Sequence, residues 1–544
     1  MSKILLAHAI SPIVNTSPPL GLGYIGAALE KHGHEVKIID GGAPYAEYDL
    51  ESMVDEIACY EPDLIGLTLT VSFALHTYRL ISELKKRLDV PIIVGGPHAT
   101  ILPEEPIQHG ADIVCRGEGE QCIVELVEYF NGQTELKNRK TKSSVNEVNQ
   151  QPPCPPFPPY QRGLGGCLRG TKSLVSEANI LGISYRDEKG NIVHNPPHPL
   201  LDNLDILDFP AKHLFHKEHY FRDESDSARF GNMVTSRGCP YGCTYCSNEV
   251  FGRRWRSRSP QNVVAEIKQV MEMYGTRKFN LMDDAATIDQ KRIMEICQLI
   301  IDNKLDIQWT CVTRLNATSP ELLAKMKEAG CVNISYGIES GNPDTLKRIK
   351  KSLTVEQAEQ AVKYTHEAGV ECSVNFMYGF PWEVPEDIRR TTEFIKKISP
   401  YVTYIQPGGV LTPYPATQIY NEYHEEYGFT DWWLKERTED SIRSETGEPL
   451  FQRIFFDYDA IEQNWFNYPP AIIKEIMRAA EVVGRHNLLY HAHKLTSNPI
   501  LAAIIREAIY TLVKLSRAIY RISPKAARIF SKPFLNIAEK YHGK

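Results

Sequence analysis

The 544-residue chain has no uninterrupted apolar run of the length that crosses a membrane. It opens with Met1-Ser2-Lys3-Ile4-Leu5-Leu6, which reads directly as a strand and lacks the long apolar region and cleavage site of a secretory signal. It has no basic excess: 61 Lys and Arg stand against 68 Asp and Glu, a net charge of -7, so no global positive field serves nucleic acid. Its 12 cysteines are scattered and form no disulfide framework, which fits a reducing compartment. The expectation from these absences is a cytoplasmic protein of two or three domains, with no nucleic-acid partner.

One tight cysteine cluster stands out. Thr235-Ser236-Arg237-Gly238-Cys239-Pro240-Tyr241-Gly242-Cys243-Thr244-Tyr245-Cys246 places three thiols in a C-x3-C-x2-C run. Thiolates at this spacing can ligate zinc or an iron–sulfur cluster. A closed zinc site needs a fourth ligand, and none follows within a short loop. Three ligands on a four-iron cluster leave one iron open to a substrate group. The plain alternatives are three partly buried free thiols or a zinc knuckle.

Residues 1–131 alternate short apolar runs with helical patterns: strands at 3–7, 36–40, 64–68, 91–96 and 112–115, and helices at 21–32, 52–59, 75–88 and 121–130. Such alternation predicts a doubly wound parallel sheet, which binds ligands at the carboxyl ends of its strands. Residues 132–230 read as a Pro-rich linker carrying a hairpin at 180–194, with Cys154 and Cys167 as free thiols. From 231 to 425, six strand candidates (232–235, 279–282, 308–312, 332–336, 373–377 and 402–405) alternate with helices, as in a partial or full parallel barrel. Residues 426–544 are mostly helical. Phe429, Trp432 and Trp433 read as core more readily than as a pocket wall. Along 501–519, Leu501, Ile504, Ile505, Ala508, Leu512, Leu515 and Ile519 share a helical face opposite Arg506, Lys514, Arg517 and Arg521. From His491 onward there are ten Lys or Arg and only Glu507 and Glu539 as acids. A basic amphipathic helix fits an anionic membrane surface, and equally a helix packed on its own domain with a solvated basic face.

The cysteine run, with Tyr245 before its last cysteine, resembles the signature of the radical S-adenosylmethionine (SAM) enzymes, and the likeness extends downstream. Asp283-Asp284 ends the second strand and matches an acidic pair of the cobalamin-dependent subgroup. Arg314 lies past the third strand, where a guanidinium suits the SAM carboxylate. Tyr336-Gly337-Ile338-Glu339-Ser340-Gly341 resembles the family's G-I-E-S-G element, with Glu339 facing the SAM ribose or ammonium. Gly379, in Tyr378-Gly379-Phe380-Pro381, resembles the glycine-containing fifth-strand end that approaches adenine. The resemblance thus implies Cys239, Cys243 and Cys246 on a 4Fe-4S cluster, and Tyr245, Asp283, Arg314, Glu339 and Gly379 around SAM.

The N-terminal region resembles the cobalamin-binding domain fused to many of these enzymes, through Pro18-Pro19-Leu20-Gly21, Thr68-Leu69-Thr70-Val71-Ser72, Gly95-Gly96-Pro97-His98-Ala99-Thr100 and Arg116-Gly117-Glu118-Gly119-Glu120. The resemblance implies cobalamin contacts at Thr68, Thr70, Ser72, Gly95, Gly96, His98, Glu118 and Gly119. The plain alternative is another nucleotide-binding or purely structural Rossmann-like domain. The D-x-H-x-x-G loop that supplies a lower cobalt ligand is absent, so that ligand is not a histidine of that motif.

Together these resemblances imply an α/β chain of four parts: a Rossmann-like doubly wound cobalamin domain (1–131), the linker (132–230), a partial (β/α)6 radical SAM core (231–425) and a helical C-terminal region (426–544). They imply a radical SAM enzyme that cleaves SAM reductively to a 5′-deoxyadenosyl radical, abstracts substrate hydrogen and transfers a methyl group from methylcobalamin to an unactivated carbon. The substrate would be a small molecule or a lipid, and the electron donor a flavodoxin or ferredoxin. The basic C-terminal helix adds an expectation of peripheral contact with the inner face of the membrane. Relatives of this architecture that close rings or oxidise, and a non-catalytic cobalamin or cluster sensor, are the alternatives.

Overall fold

The computed structural model describes residues 1–10, 15–130, 179–247, 250–406, 409–435, 464–496 and 498–522. The expected linker at 132–178, with Cys154 and Cys167, lies outside the described residues. The chain divides into two compact units: Met1–Asp202 with Ile206–Tyr220 and Glu249–Phe251, and the remainder.

The first unit is built on seven strands: β1 (Lys3–His8), β2 (Glu35–Asp40), β3 (Leu64–Thr68), β4 (Ile92–Gly95), β5 (Ile113–Cys115), β6 (Ile183–Arg186) and β7 (Ile192–His194). Their order is β2-β1-β3-β4-β5-β6-β7. The first five run parallel. Ile4, Leu5, Leu6 and Ala7 are all buried, as expected where helices cover both faces of a parallel sheet. The longer helices are Leu20–Lys31, Leu50–Cys59, Ala74–Arg87 and Gly119–Phe130, close to the predicted spans, with two short ones at Pro97–Ile101 and Glu104–Gln108. Asp49 and Ser52 start the second with a reciprocal capping box. In the order 2-1-3-4-5 the sheet changes winding direction between β1 and β3, so the ligand crevice lies at their carboxyl ends.

The hairpin expected inside the linker is present, but it belongs to this sheet. β6 pairs antiparallel with β5, and β7 with β6. The physical reason is the edge: β5 alone would leave a row of unpaired backbone groups, which the returning hairpin satisfies. Residues 206–220 also return to this unit. The Ala211 amide donates to the Gly23 carbonyl at 2.9 Å.

The second unit carries β8 (Asn232–Met233), β9 (Ser236–Arg237), β10 (Arg256–Ser257), β11 (Lys278–Leu281), β12 (Gln308–Thr313), β13 (Cys331–Glu339), β14 (Glu371–Phe376) and β15 (Tyr404–Gln406). β9 and β10 form a short antiparallel ribbon. The other six are parallel and neighbour one another in chain order, β8-β11-β12-β13-β14-β15. This is the succession of a partial (β/α)6 barrel, and all six strands fall at the predicted segments. Strand alternation separates two faces. Phe279, Leu281, Cys311, Ile334, Tyr336, Cys372 and Val374 are buried on the helix-covered face. Met282 and Val312 lie on the other face and are 54% and 42% exposed.

Phe429, Trp432 and Trp433 are buried, and rings of Trp432 and Trp465 stand 5.2 Å apart, so this aromatic run is core. Helices Pro470–Leu495 and Pro499–Ile522 pair with each other. The Arg485 guanidinium meets Glu507 at 2.9 Å. The second of these helices buries Ala502 and Tyr510, whereas Ile500, Leu501, Ile504 and Leu515 are exposed. The predicted apolar face is therefore turned away from the partner helix along much of its length.

Candidate active site

The cysteine loop leaves β9 through Gly238, whose φ of +85° is a conformation natural only to glycine. A Cβ there would stand 2.4 Å from the Arg254 carbonyl, so the loop lies tight against the segment leading to β10. Cys243 is buried, Cys239 partly so, and Cys246 is exposed. Although Cys246 as a residue is exposed, desolvation by the protein around its sulfur, and after it the charge of the neighbouring cysteines, raises its thiol to about 11. Cys239 is raised by burial first, with Asp284 and Cys243 adding to it and Arg314 opposing. The thiols thus sense one another. Among the described residues, however, no three His, Cys, Asp or Glu side chains stand as a preformed metal site. Protonated thiols do not attract one another, and ligand convergence comes with metal binding and thiol deprotonation. Three soft donors on one loop beside a guanidinium fit a 4Fe-4S cluster.

Arg314 stands against this loop. Its guanidinium stacks 3.6 Å over the Tyr241 ring, donates to Cys243 Sγ at 3.5 Å, and donates to the Lys351 carbonyl. Glu339, at the end of β13, has φ of +74°. Its Oε1 accepts from Tyr245 OH at 3.1 Å and from Lys351 Nζ at 2.8 Å. The Tyr245 phenol is pushed well up by burial and then by the Glu339 charge. Tyr245, Arg314 and Glu339 are thereby gathered beside the cysteines. Lys351, which sequence reading missed, joins them. It sits in an ordinary basic run, Arg348-Ile349-Lys350-Lys351, that nothing local distinguishes from a solvated face.

Two of the predicted SAM contacts are placed differently. Asp283 spends its carboxylate on its own chain: it accepts from the Thr235 amide at 2.6 Å, the Thr235 hydroxyl at 2.5 Å and the Ser236 amide at 3.0 Å. It holds the turn from β8 into β9. The next residue, Asp284, in the loop after β11, meets the cysteine loop, where its carboxyl accepts from the Gly238 amide and is raised by desolvation and then by Asp283. Gly379 has φ of +75°, as a fifth-strand glycine should, but Tyr468 lies over it. The Tyr468 hydroxyl donates to the Gly379 carbonyl at 2.6 Å, and an added Cβ would meet that hydroxyl at 2.6 Å. The glycine here admits the chain's own tyrosine. Glu383, also missed, accepts from the Gly379 and Phe380 amides at 2.9 and 3.2 Å and from the Thr345 hydroxyl at 3.3 Å.

In the first unit, Thr68 and Thr70 are half-buried and Ser72 exposed at the carboxyl end of β3, next to the winding switch. Gly95 is open: a Cβ there would come no closer than 3.7 Å to the Cys115 carbonyl. Gly96 has φ of +101°, and a Cβ would meet the Leu69 carbonyl at 2.8 Å. The backbones of the β3 and β4 loops therefore touch only because this residue is glycine, and Thr68, Thr70, Ser72 and the Gly95-Gly96 pair lie together at the carboxyl ends of the paired strands β3 and β4. That cradle fits a large flat cofactor such as cobalamin. Gly119 starts its helix against Ile25. His98 and Glu118 are both buried and hydrogen-bonded within this unit. His98 is 1% exposed, with Nε2 2.9 Å from Glu105 Oε1. Glu118 is buried and accepts from the Leu201 amide at 2.8 Å, tying down the segment after the hairpin. His8 is likewise buried, 3.2 Å from Asp40.

Comparison with known proteins agrees with this layout. Residues 9–127 match the B12 binding domain and residues 233–395 the Radical SAM superfamily. The chain is 33% identical to an uncharacterized methyltransferase of Pyrococcus horikoshii over 77% of its own length and 82% of the relative's. It is 27% identical to the cytidylyl-2-hydroxyethylphosphonate methyltransferase of Streptomyces wedmorensis, over 67% and 69% of the two chains. Its fold resembles the radical SAM methyltransferase TsrM of Kitasatospora setae, solved with cobalamin and a 4Fe-4S cluster, at a TM-score of 0.60 and 19% identity over 79% of each chain. With both halves matched in the order the sequence predicts, the chain belongs to the cobalamin-dependent radical SAM enzymes, which employ a 4Fe-4S cluster, SAM and cobalamin.

Proposed function

We propose that this protein is a C-methyltransferase, with Cys239, Cys243 and Cys246 as the cluster ligands, Arg314, Glu339 and Tyr245 as the SAM-facing groups, and Thr68, Thr70, Ser72, Gly95 and Gly96 bordering cobalamin. The observation that carries the reading is the gathering of Arg314, Glu339 and Tyr245 beside one three-cysteine loop. A binding protein or sensor has no use for a guanidinium and a carboxylate held together there. The cluster, SAM and cobalamin, when bound, supply reductive cleavage and methyl carriage. The chain's own residues bind and orient: Arg314 offers a planar pair of donors suited to a carboxylate, and Glu339 an acceptor suited to an ammonium. Met282 and Val312 give the open strand face an apolar surface from which water is readily displaced.

Methyl transfer is supported by two of the similar proteins, those of Pyrococcus horikoshii and Streptomyces wedmorensis, being methyltransferases by name. The test is anaerobic reconstitution with iron, sulfide and cobalamin, then SAM and a strong reductant, with 5′-deoxyadenosine and S-adenosylhomocysteine quantified by mass spectrometry. Both products, lost in the triple Cys239/Cys243/Cys246→Ala variant, are expected. Deoxyadenosine without S-adenosylhomocysteine in the presence of turned-over substrate would replace methyl transfer with ring closure or oxidation.

The substrate is a small molecule, and we infer a lipid met at an anionic membrane surface. Ile500 and Ile504 are 72% and 59% exposed on a helix fixed from its other side. The tail from His491 carries ten Lys or Arg against two acids, a charge complementary to anionic lipid. Substituting Ile500→Ser, Ile504→Ser and Leu515→Ser together is expected to abolish sedimentation with phosphatidylglycerol vesicles and leave the fold unchanged. Unaltered sedimentation would remove the lipid reading without touching the radical chemistry.

A further inference from the structure

The cysteine loop lies just beneath a surface of its unit, and that surface is basic. The Thr244 amide donates to the Ile349 carbonyl at 3.1 Å, and Cys243 Sγ lies 3.8 Å from the Lys350 carbonyl. The Lys350 side chain is exposed. One carbonyl contact therefore joins a cysteine of the loop to a residue whose ammonium stands in solvent. The residue before Cys243, Gly242, makes room for a second cation. A Cβ there would lie 3.1 Å from Arg253 Nη1 and 3.2 Å from its Cζ, so the guanidinium rests against the loop backbone. Arg253 is exposed as well.

The sequence concentrates charge at both places. Four of the six residues 253–258 are arginine and four of the five residues 347–351 are Lys or Arg, with no acid in either stretch. Some are taken up inside: Arg258 pairs with Glu266 and Lys351 with Glu339, all of them buried. Arg253, Arg254, Lys347, Arg348 and Lys350 stay exposed, against two exposed acids on the adjoining turns, Asp344 and Glu422. Among the described residues Arg253, Lys347 and Lys350 form no ion pair, and Lys350 Nζ meets only the neutral Gln418 side chain, at 2.8 Å. Other surface helices of this unit match their cations with acids, as in Lys325–Glu328, Lys363–Glu359, Arg389–Glu386 and Lys396–Glu393. In a chain of net charge -7, the cysteine loop thus sits at a local reversal of sign.

We propose that Arg253, Lys347 and Lys350 form a docking rim for the electron donor, a small acidic protein that carries a one-electron centre at its own edge and settles over the cysteine loop. The proposal rests on the cluster reading of Cys239, Cys243 and Cys246 and adds to it where the electron enters. One electron leaves the reduced carrier and enters the cluster; no bond forms or breaks. Charge complementarity of this kind acts mainly on the rate of encounter, and redox complexes bury little surface. A few unpaired cations beside a shallow cluster are therefore enough, and no large apolar patch is needed.

The experiment compares wild type, the triple Arg253→Glu/Lys347→Glu/Lys350→Glu variant and the charge-keeping Arg253→Lys/Lys347→Arg/Lys350→Arg variant, each loaded with its cluster and matched for iron content. Cluster reduction is followed by stopped-flow absorbance with two reagents, flavodoxin hydroquinone and the methyl viologen radical cation. At about 0.01 M ionic strength, where charges act over about 30 Å, flavodoxin is expected to reduce the charge-reversed variant at least about tenfold more slowly than wild type. At about 1 M the two rates are expected to agree within about twofold. The charge-keeping variant is expected to match wild type throughout, and the viologen cation to reduce the charge-reversed variant no more slowly than wild type. Equal flavodoxin rates at low salt, or a loss that persists at high salt or extends to viologen, would overturn the proposal. So would an unchanged flavodoxin rate with lost sedimentation on phosphatidylglycerol vesicles, which would give this surface to a membrane. A wild type that neither reagent reduces would refute the cluster reading, and the proposal with it.

Discussion

Glu383 offers a quantitative test of how the fifth-strand end is held. The residue is 8% exposed, and its carboxyl is pushed up from the ordinary 4.5 to about 7. Burial is the dominant cause, and the amides of Phe380 and Gly379 and the hydroxyl of Thr345 oppose it. An acid whose folded value is raised gives its full stability below the unfolded value, near 4.5, where both states are protonated. As pH rises toward 7, the unfolded chain ionises while the folded one keeps its proton, and stability falls by about 1.4 kcal/mol per pH unit. The total loss is about 3 kcal/mol and is complete once the folded carboxyl has ionised. Glu383→Gln keeps an oxygen for the Gly379 and Phe380 amides and removes the titration. The assay is urea unfolding of anaerobic protein from about pH 5 to about pH 8 for both proteins, where taking their difference cancels other titrating groups. The wild type is expected to lose about 2.5 kcal/mol relative to the variant across that range, the rest of the loss lying below pH 5. A difference that stays flat would refute the assignment of burial as the stronger effect, because it would mean the three donors hold the carboxylate ionised throughout.

Two further outcomes follow from geometry. Gly96→Ala forces a φ of +101° on an L-residue and drives a Cβ against the Leu69 carbonyl; a cost of about 1–3 kcal/mol and loss of cobalamin retention on gel filtration are expected. Retention equal to wild type would detach the β3–β4 crevice from the cofactor. Asp283→Asn puts an amide where three donors converge, so it is expected to destabilise the second unit by about 1–3 kcal/mol in a thermal melt. Asp284→Asn is expected to move the melt by less than about 0.5 kcal/mol. The reverse ranking would mean that Asp283 faces the ligand after all.

Architecture and chemical family were already legible in the order of the residues. Hydrophobic runs of strand length, separated by helical periods, specify parallel β/α units because both faces of such strands must be covered, and all six parallel strands of the second unit fall where those runs predict. The C-x3-C-x2-C spacing is local, so it too is readable without coordinates. Folding alone assigned each polar side chain its hydrogen bonds. Asp283 and Asp284 are adjacent and chemically identical, yet in the loop after β11 one binds the Thr235 and Ser236 amides and the other the Gly238 amide. His98 and Glu118 belong to motif segments, but their partners, Glu105 and Leu201, come from other parts of the fold. Lys351 shows the converse. Its importance arises from Glu339, Tyr245 and Arg314, which lie 12, 106 and 37 residues away, and no one-dimensional pattern marks a charge that only folding surrounds.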